Sequence, residues 1–225
     1  MKYFYLYIFI LSMFIVLISY WNTKTVEGTI EGFNNEKTYV LMGDSILKNN
    51  AYVSDGKSVE TLILERNKST LSLAEDHSTI SDIFMQVNKL PIELNVSNTY
   101  IFLSAGGNNI LSHYVDQNQD VNDISTLKPM FGAYKNLVRS IQTRLPTAKI
   151  ILLDIYYPNN LQYKQFYNII KEWNNMIYTF ASDPNNNIYS VLKISNYLTQ
   201  NEDFSFGIEP SSSGGKKIAN LILSE

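Results

Sequence analysis

Five short apolar runs, separated by polar and turn-forming residues and mostly followed by stretches with helical spacing, set the pattern of this chain. Thr38–Met42, Leu71–Ala74, Tyr100–Ser104, Lys149–Asp154 and Ile188–Val191 are rich in β-branched, aromatic and leucine side chains and predict strands. Tyr100–Ser104 is apolar on both faces, as a central strand of a parallel sheet is. Ile80, Ile83, Phe84, Val87 and Leu90 recur at helical spacing. So do Tyr134, Leu137, Val138, Ile141 and Leu145, in a helix over Phe131–Leu145 that Pro146 stops. A long helix is predicted over Leu161–Ala181, and a closing one over Ser213–Leu223 with a stripe at Ile218, Leu221 and Ile222. Strands alternating with helices predict an α/β domain whose parallel sheet is covered on both faces. The polar stretch Asp116–Asp123 is expected to form part of a lid or rim.

Ahead of this domain, Tyr3 to Trp21 runs nineteen residues without a charge, interrupted only by Ser12 and Ser19. Roughly 20 apolar residues cross a bilayer core. Aromatic residues gather at both ends of the run (Tyr3, Tyr5, Tyr7, Tyr20, Trp21), as interfacial belts do. A cleaved signal peptide would have a shorter apolar core followed by small residues, and no Ala-x-Ala-like site precedes Trp21. The expected organisation is a transmembrane signal-anchor over 1–21, a polar tether over 22–37 and a folded domain over 38–225. Lys2 favours the amino terminus inside, which puts the domain of a single-pass protein on the non-cytoplasmic side of the membrane.

Composition narrows the chemistry. With 225 residues, 45% of them hydrophobic, the chain can bury one substantial core. The net charge is −3, and the 18 basic residues form no cluster, which argues against nucleic acid as a partner. Cysteine is absent, so disulfides, thiolate metal sites and a cysteine nucleophile are excluded. The two histidines, His77 and His113, are far apart and lack a zinc-binding spacing.

The run Tyr39-Val40-Leu41-Met42 breaks at Gly43-Asp44-Ser45-Ile46, which reads as a buried strand ending in a tight turn. A serine there sits at the carboxyl edge of the sheet, where open α/β folds place their ligands. A helix starting just after it offers backbone N–H groups to developing negative charge. Gly43-Asp44-Ser45 resembles the nucleophile block of the SGNH (GDSL-type) hydrolases. Leu71–Thr79 resembles that family's second block, Tyr100–Asn109 its third, and Ile208-Glu209-Pro210-Ser211 through Ala219 its last. The four occur in the family's order over about residues 38–225. The resemblance implies a three-layer α/β/α fold with a five-stranded parallel, flavodoxin-like sheet, and hydrolysis of an ester through a Ser45 acyl-enzyme without any cofactor.

In the family's terms Ser45 is the nucleophile. Its own N–H and the Asn108 side-chain amide are oxyanion donors. A third donor is a glycine N–H in the second block, and here that position is His77. An imidazole beside Ser45 is either a displaced general base or a surface loop residue, and His113 reads as a loop residue. The last block departs furthest from the family: its Asp and His positions are Phe206 and Glu209. A carboxylate can act as general base, and needs no third residue to fix a tautomer. Burial would raise its pKa, with Phe206 expected to supply an apolar wall. Two readings stay open. One is a membrane-anchored hydrolase acting on a small-molecule, lipid or glycan ester (acyl or O-acetyl) with Ser45, Asn108, Glu209 and His77 as candidate residues. The other is an inactive SGNH-like domain that binds a glycan or lipid.

Overall fold

Parallel strands need covered crossovers, and the chain supplies one after almost every strand. The computed structural model describes residues 36–117, 119–121 and 123–225. The expected signal-anchor and residues 22–35 of the expected tether lie outside the described residues. Two units divide the chain, Met1–Glu36 and Lys37–Glu225, and the fold belongs to the second. Among the described residues, no helix is long and apolar enough to cross a membrane.

In chain order the elements are β1 (Thr38–Met42), α1 (Ser45–Lys48), α2 (Val59–Arg66), β2 (Thr70–Ser72), α3 (Ile80–Asn88), β3 (Thr99–Leu103) and α4 (Gly107–Leu111). There follow α5 (Leu127–Arg144), β4 (Lys149–Leu153), α6 (Tyr167–Ser182), β5 (Ser190–Leu192), β6 (Phe204–Ser205), β7 (Glu209–Pro210) and α7 (Ser212–Ser224). The first five strands make one parallel sheet in the order β2-β1-β3-β4-β5, the flavodoxin-like order, and β6 and β7 form a separate antiparallel hairpin.

β3 is buried at every position, as its two-faced apolar sequence requires. Side chains alternate across the sheet. Val40, Met42, Ile101, Leu103, Ile150 and Leu152 pack with α3, α5 and α6. Tyr39, Leu41, Tyr100, Phe102, Ile151 and Leu153 pack with α1, α2 and α7. The result is the expected three-layer α/β/α arrangement. In the first layer, Phe131 and Tyr134 stack at 5.3 Å and both meet Trp173 edge-on, at 5.4 and 5.6 Å.

Some boundaries differ from the sequence expectation, and each has a local cause. α5 starts at Leu127 rather than Phe131, because Pro129 falls in the first turn, where its missing N–H has no helical partner to lose. The predicted long helix begins as a 3-10 turn over Leu161–Phe166 and becomes α-helical only at Tyr167. α2 was not predicted: its eight residues bury Val59 and Ile63 together with Glu60, whose carboxylate is held by Lys48 at 2.8 Å. That acidic residue breaks the apolar stripe that spacing would have revealed.

Candidate active site

The turn after β1 is braced from two sides. Gly43 has φ of +146°, and a Cβ there would fall 2.3 Å from the Ser104 carbonyl oxygen, so only glycine lets β1 end against β3. Gln86, buried on α3, accepts from the Gly43 N–H at 2.8 Å and donates to the Gly43 carbonyl at 2.9 Å. Asp44 caps α1: its Oδ1 accepts from the Ile46 N–H at 3.1 Å and from the Ser104 hydroxyl at 2.7 Å. Ser45 is thereby the first residue of α1, buried at the carboxyl edge of the sheet. An N–H at this position has no acceptor within the helix. Burial pushes the Asp44 carboxyl up to about 7, against the hydrogen bonds from Ser104 and Ile46, and the Glu209 charge adds to the rise.

Glu209 arrives on the β6–β7 hairpin, whose tight turn holds Phe206 and Gly207 at φ of 49° and 83°. Three side-chain bonds tie the hairpin down. The amide of Asn49, just past α1, donates to the Pro210 carbonyl at 2.8 Å. The Ser205 hydroxyl donates to the Tyr52 carbonyl at 3.1 Å, and the Tyr156 hydroxyl donates to the Ile208 carbonyl at 2.7 Å. The half-buried Glu209 carboxylate then faces Ser45. Burial raises its pKa, the Ser45 hydroxyl beside it partly offsets the rise, and the Asp76 charge adds to it. Glu209 Oε2 is buried without a hydrogen-bond partner of its own.

Asn108 lies on α4, whose entry at Gly106 needs glycine twice over: its φ is +109°, and a Cβ there would fall 2.2 Å from the Trp173 ring. Its amide donates to the Ser78 carbonyl at 3.0 Å. A side-chain amide carries two N–H donors, so a second remains for another acceptor. Ser45, Glu209 and Asn108 therefore line one cleft, together with Ile110, Leu111, Ile155, Tyr156, Pro158, Tyr163, Phe166, Ile170 and Ile208. Its walls are overwhelmingly apolar. Among the described residues, no group of three histidine or carboxylate side chains is placed to hold a metal ion.

The two histidines lie elsewhere. His77 takes the left-handed conformation (φ of 62°) that suits a glycine, and its exposed ring meets the Tyr52 hydroxyl through Nε2 at 3.3 Å. His113 lies in the π-helical turn after α4, edge-on to Tyr114 at 4.7 Å. Neither lines the cleft, and no described residue of 116–123 does. Phe206 is not the apolar wall expected for Glu209: its side chain is 79% exposed, because the left-handed turn aims it outward. Burial of Glu209 comes instead from the cleft it borders. Asn49, Gln86 and Tyr156 took no part in the sequence reading of the site, and Asp44 entered it only as part of the Gly-Asp-Ser turn, without its capping role.

No sequence-family model matches the chain, and no curated protein matches it by sequence. Solved structures do. A lipolytic protein of the G-D-S-L family from Veillonella parvula superposes with a TM-score of 0.60 at 18% identity, over 84% of this chain and 97% of its own. The chain has the SGNH hydrolase fold. Phospholipase A1 from Streptomyces albidoflavus matches with a TM-score of 0.62 at 16% identity, over 84% of this chain and 99% of its own. A Clostridium thermocellum family 3 carbohydrate esterase matches with a TM-score of 0.58 at 20% identity, over 84% and 94%. On the SGNH fold, the carboxyl edge of the sheet is where this chain assembles Ser45, Asn108 and Glu209.

Proposed function

We propose that this SGNH-fold chain is a serine ester hydrolase in which Glu209 does the work of the missing histidine. The observation that carries the reading is the Ser45 hydroxyl facing a half-buried carboxylate at the edge of an apolar cleft. Ser45 Oγ attacks the ester carbonyl carbon while Glu209 accepts the hydroxyl proton. The resulting oxyanion is received by the Ser45 N–H and the Asn108 amide. Collapse breaks the bond to the alcohol oxygen, which leaves with the proton from Glu209. Water then attacks the acyl-enzyme, Glu209 takes its proton, and the carboxylic acid is released from Ser45 as the serine hydroxyl re-forms. The apolar cleft favours an acyl chain over acetyl, which would leave most of that surface wetted. An uncharged run at Tyr3–Trp21 supports anchoring in a membrane.

A fluorophosphonate probe tests the nucleophile directly. The expected result is covalent labelling that disappears in Ser45→Ala. A second reading, a binding domain without catalysis, is favoured by one observation: neither histidine of the chain lines the cleft. Absence of labelling in a folded wild-type protein would select it.

A further inference from the structure

We propose that the rim formed by Tyr52, His77 and Phe206 holds the alcohol half of the ester, and that this alcohol is a neutral sugar ring. The inference rests on the hydrolase reading and deepens it. An ester has two sides, and the apolar cleft accounts for the acyl side. The rim lies outside the cleft lining, and Glu209, which borders the cleft, shares a hairpin with Phe206 and acts on Tyr52 through its charge. Phe206 stands in the turn that delivers Glu209, and Tyr52 is joined to the same hairpin through Ser205. The rings of His77 and Phe206 approach Tyr52 edge-on at 6.4 and 6.2 Å.

This rim is poorly explained by folding alone. Phe206 is 79% exposed and His77 is exposed, and both sit in the left-handed conformation that disfavours side chains larger than glycine. Non-glycine residues held in that conformation collect at ligand sites. The chemistry on offer is a bare phenyl face beside a phenol and an imidazole. A sugar presents C–H groups on its ring face and hydroxyls on its edge. The electron-rich aromatic face suits the first, and Tyr52 Oη, together with the ring nitrogen of His77 that does not face it, can bond the second.

Charge selects among alcohols. Glu209 sits on the hairpin that carries Phe206 and Asp76 immediately precedes His77, so two carboxylates flank this rim, and burial together with their charge pushes Tyr52 up to about 12. The nearby Lys48 is engaged by Glu60 at 2.8 Å. A phosphate on the leaving group, as in a phospholipid headgroup or a nucleotide thioester, would meet repulsion that a neutral sugar does not.

The test uses the full chain in phosphatidylcholine nanodiscs. Hydrolysis of 6-O-hexanoylglucose is compared with ethyl hexanoate and hexanoyl-coenzyme A, and saturation-transfer NMR follows methyl glucoside. We expect kcat/KM to favour the sugar ester, and Phe206→Ala to lower that preference over ethyl hexanoate about fivefold through KM. Phe206→Trp should retain it. Saturation should reach the ring-face protons of methyl glucoside and be lost in Phe206→Ala. Equal use of ethyl and sugar esters, or a preference for the coenzyme A thioester, overturns the sugar site and leaves the hydrolase standing. Sugar binding that depends on Phe206, without hydrolysis of any ester, supports the site and removes the hydrolase. No saturation transfer in the wild type overturns the site whatever the turnover.

Discussion

At the scale of single residues, a carboxylate base behaves differently from imidazole. If Glu209 is the base, its working form is the anion, and turnover falls as pH drops through its pKa. Burial and the charge of Asp76 raise that pKa, against the Ser45 hydroxyl, which lowers it. The acid limb of kcat/KM is therefore expected above the ordinary glutamate value of about 4.3. Glu209→Gln keeps the shape but cannot accept a proton. It should lose about 10²-fold or more in kcat and abolish that limb. A pH–rate profile of short ester hydrolysis for both proteins checks this, and undiminished turnover in Glu209→Gln would refute the carboxylate base. Ser45 and Asn108 could be placed at the candidate site from sequence because each follows an apolar run that soon breaks at glycine. Glu209 was legible only by its place in the last block. The outward turn of Phe206 was not, since it depends on a left-handed backbone that sequence spacing does not encode.

Elements bring these residues together through bonds between distant parts of the chain. Gln86 lies 43 residues from Gly43, and Asn49 lies 161 residues from Pro210. Local patterning has no access to pairs so far apart, whereas it read all five sheet strands to within a few residues, because alternation and apolar runs are local. The β6–β7 hairpin escaped because its strands are two residues each. The Gln86 amide fixes both polar groups of the residue that turns β1 into α1, so the brace belongs to the sheet–helix junction rather than to the cleft. Gln86→Leu would leave the buried Gly43 N–H without an acceptor, and a loss of roughly 1–3 kcal/mol is expected by urea unfolding. Turnover should fall further than stability does at temperatures where the variant stays folded, since Ser45 would no longer be aimed. Unchanged stability would show that the junction holds itself.

For the whole molecule, both cores are built from residues of the unit Lys37–Glu225, while the proposed membrane attachment rests on the run Tyr3–Trp21. If that run is a retained span, the full-length chain should stay in the membrane pellet after alkaline carbonate extraction; recovery of a shortened chain in the supernatant would indicate cleavage instead. The folded unit also closes on itself. Lys37, which leads into β1, donates through Nζ to the carbonyl oxygen of Glu225, and the Glu225 carboxylate meets the hydroxyl of Ser190 at the start of β5. Residues 37 and 225 thus meet at the amino edge of the sheet, a full strand length from Ser45. A short peptide could splice them and the chain be cut open in another surface loop, giving a circular permutant that keeps the strand register while moving any fused cargo to a face of choice.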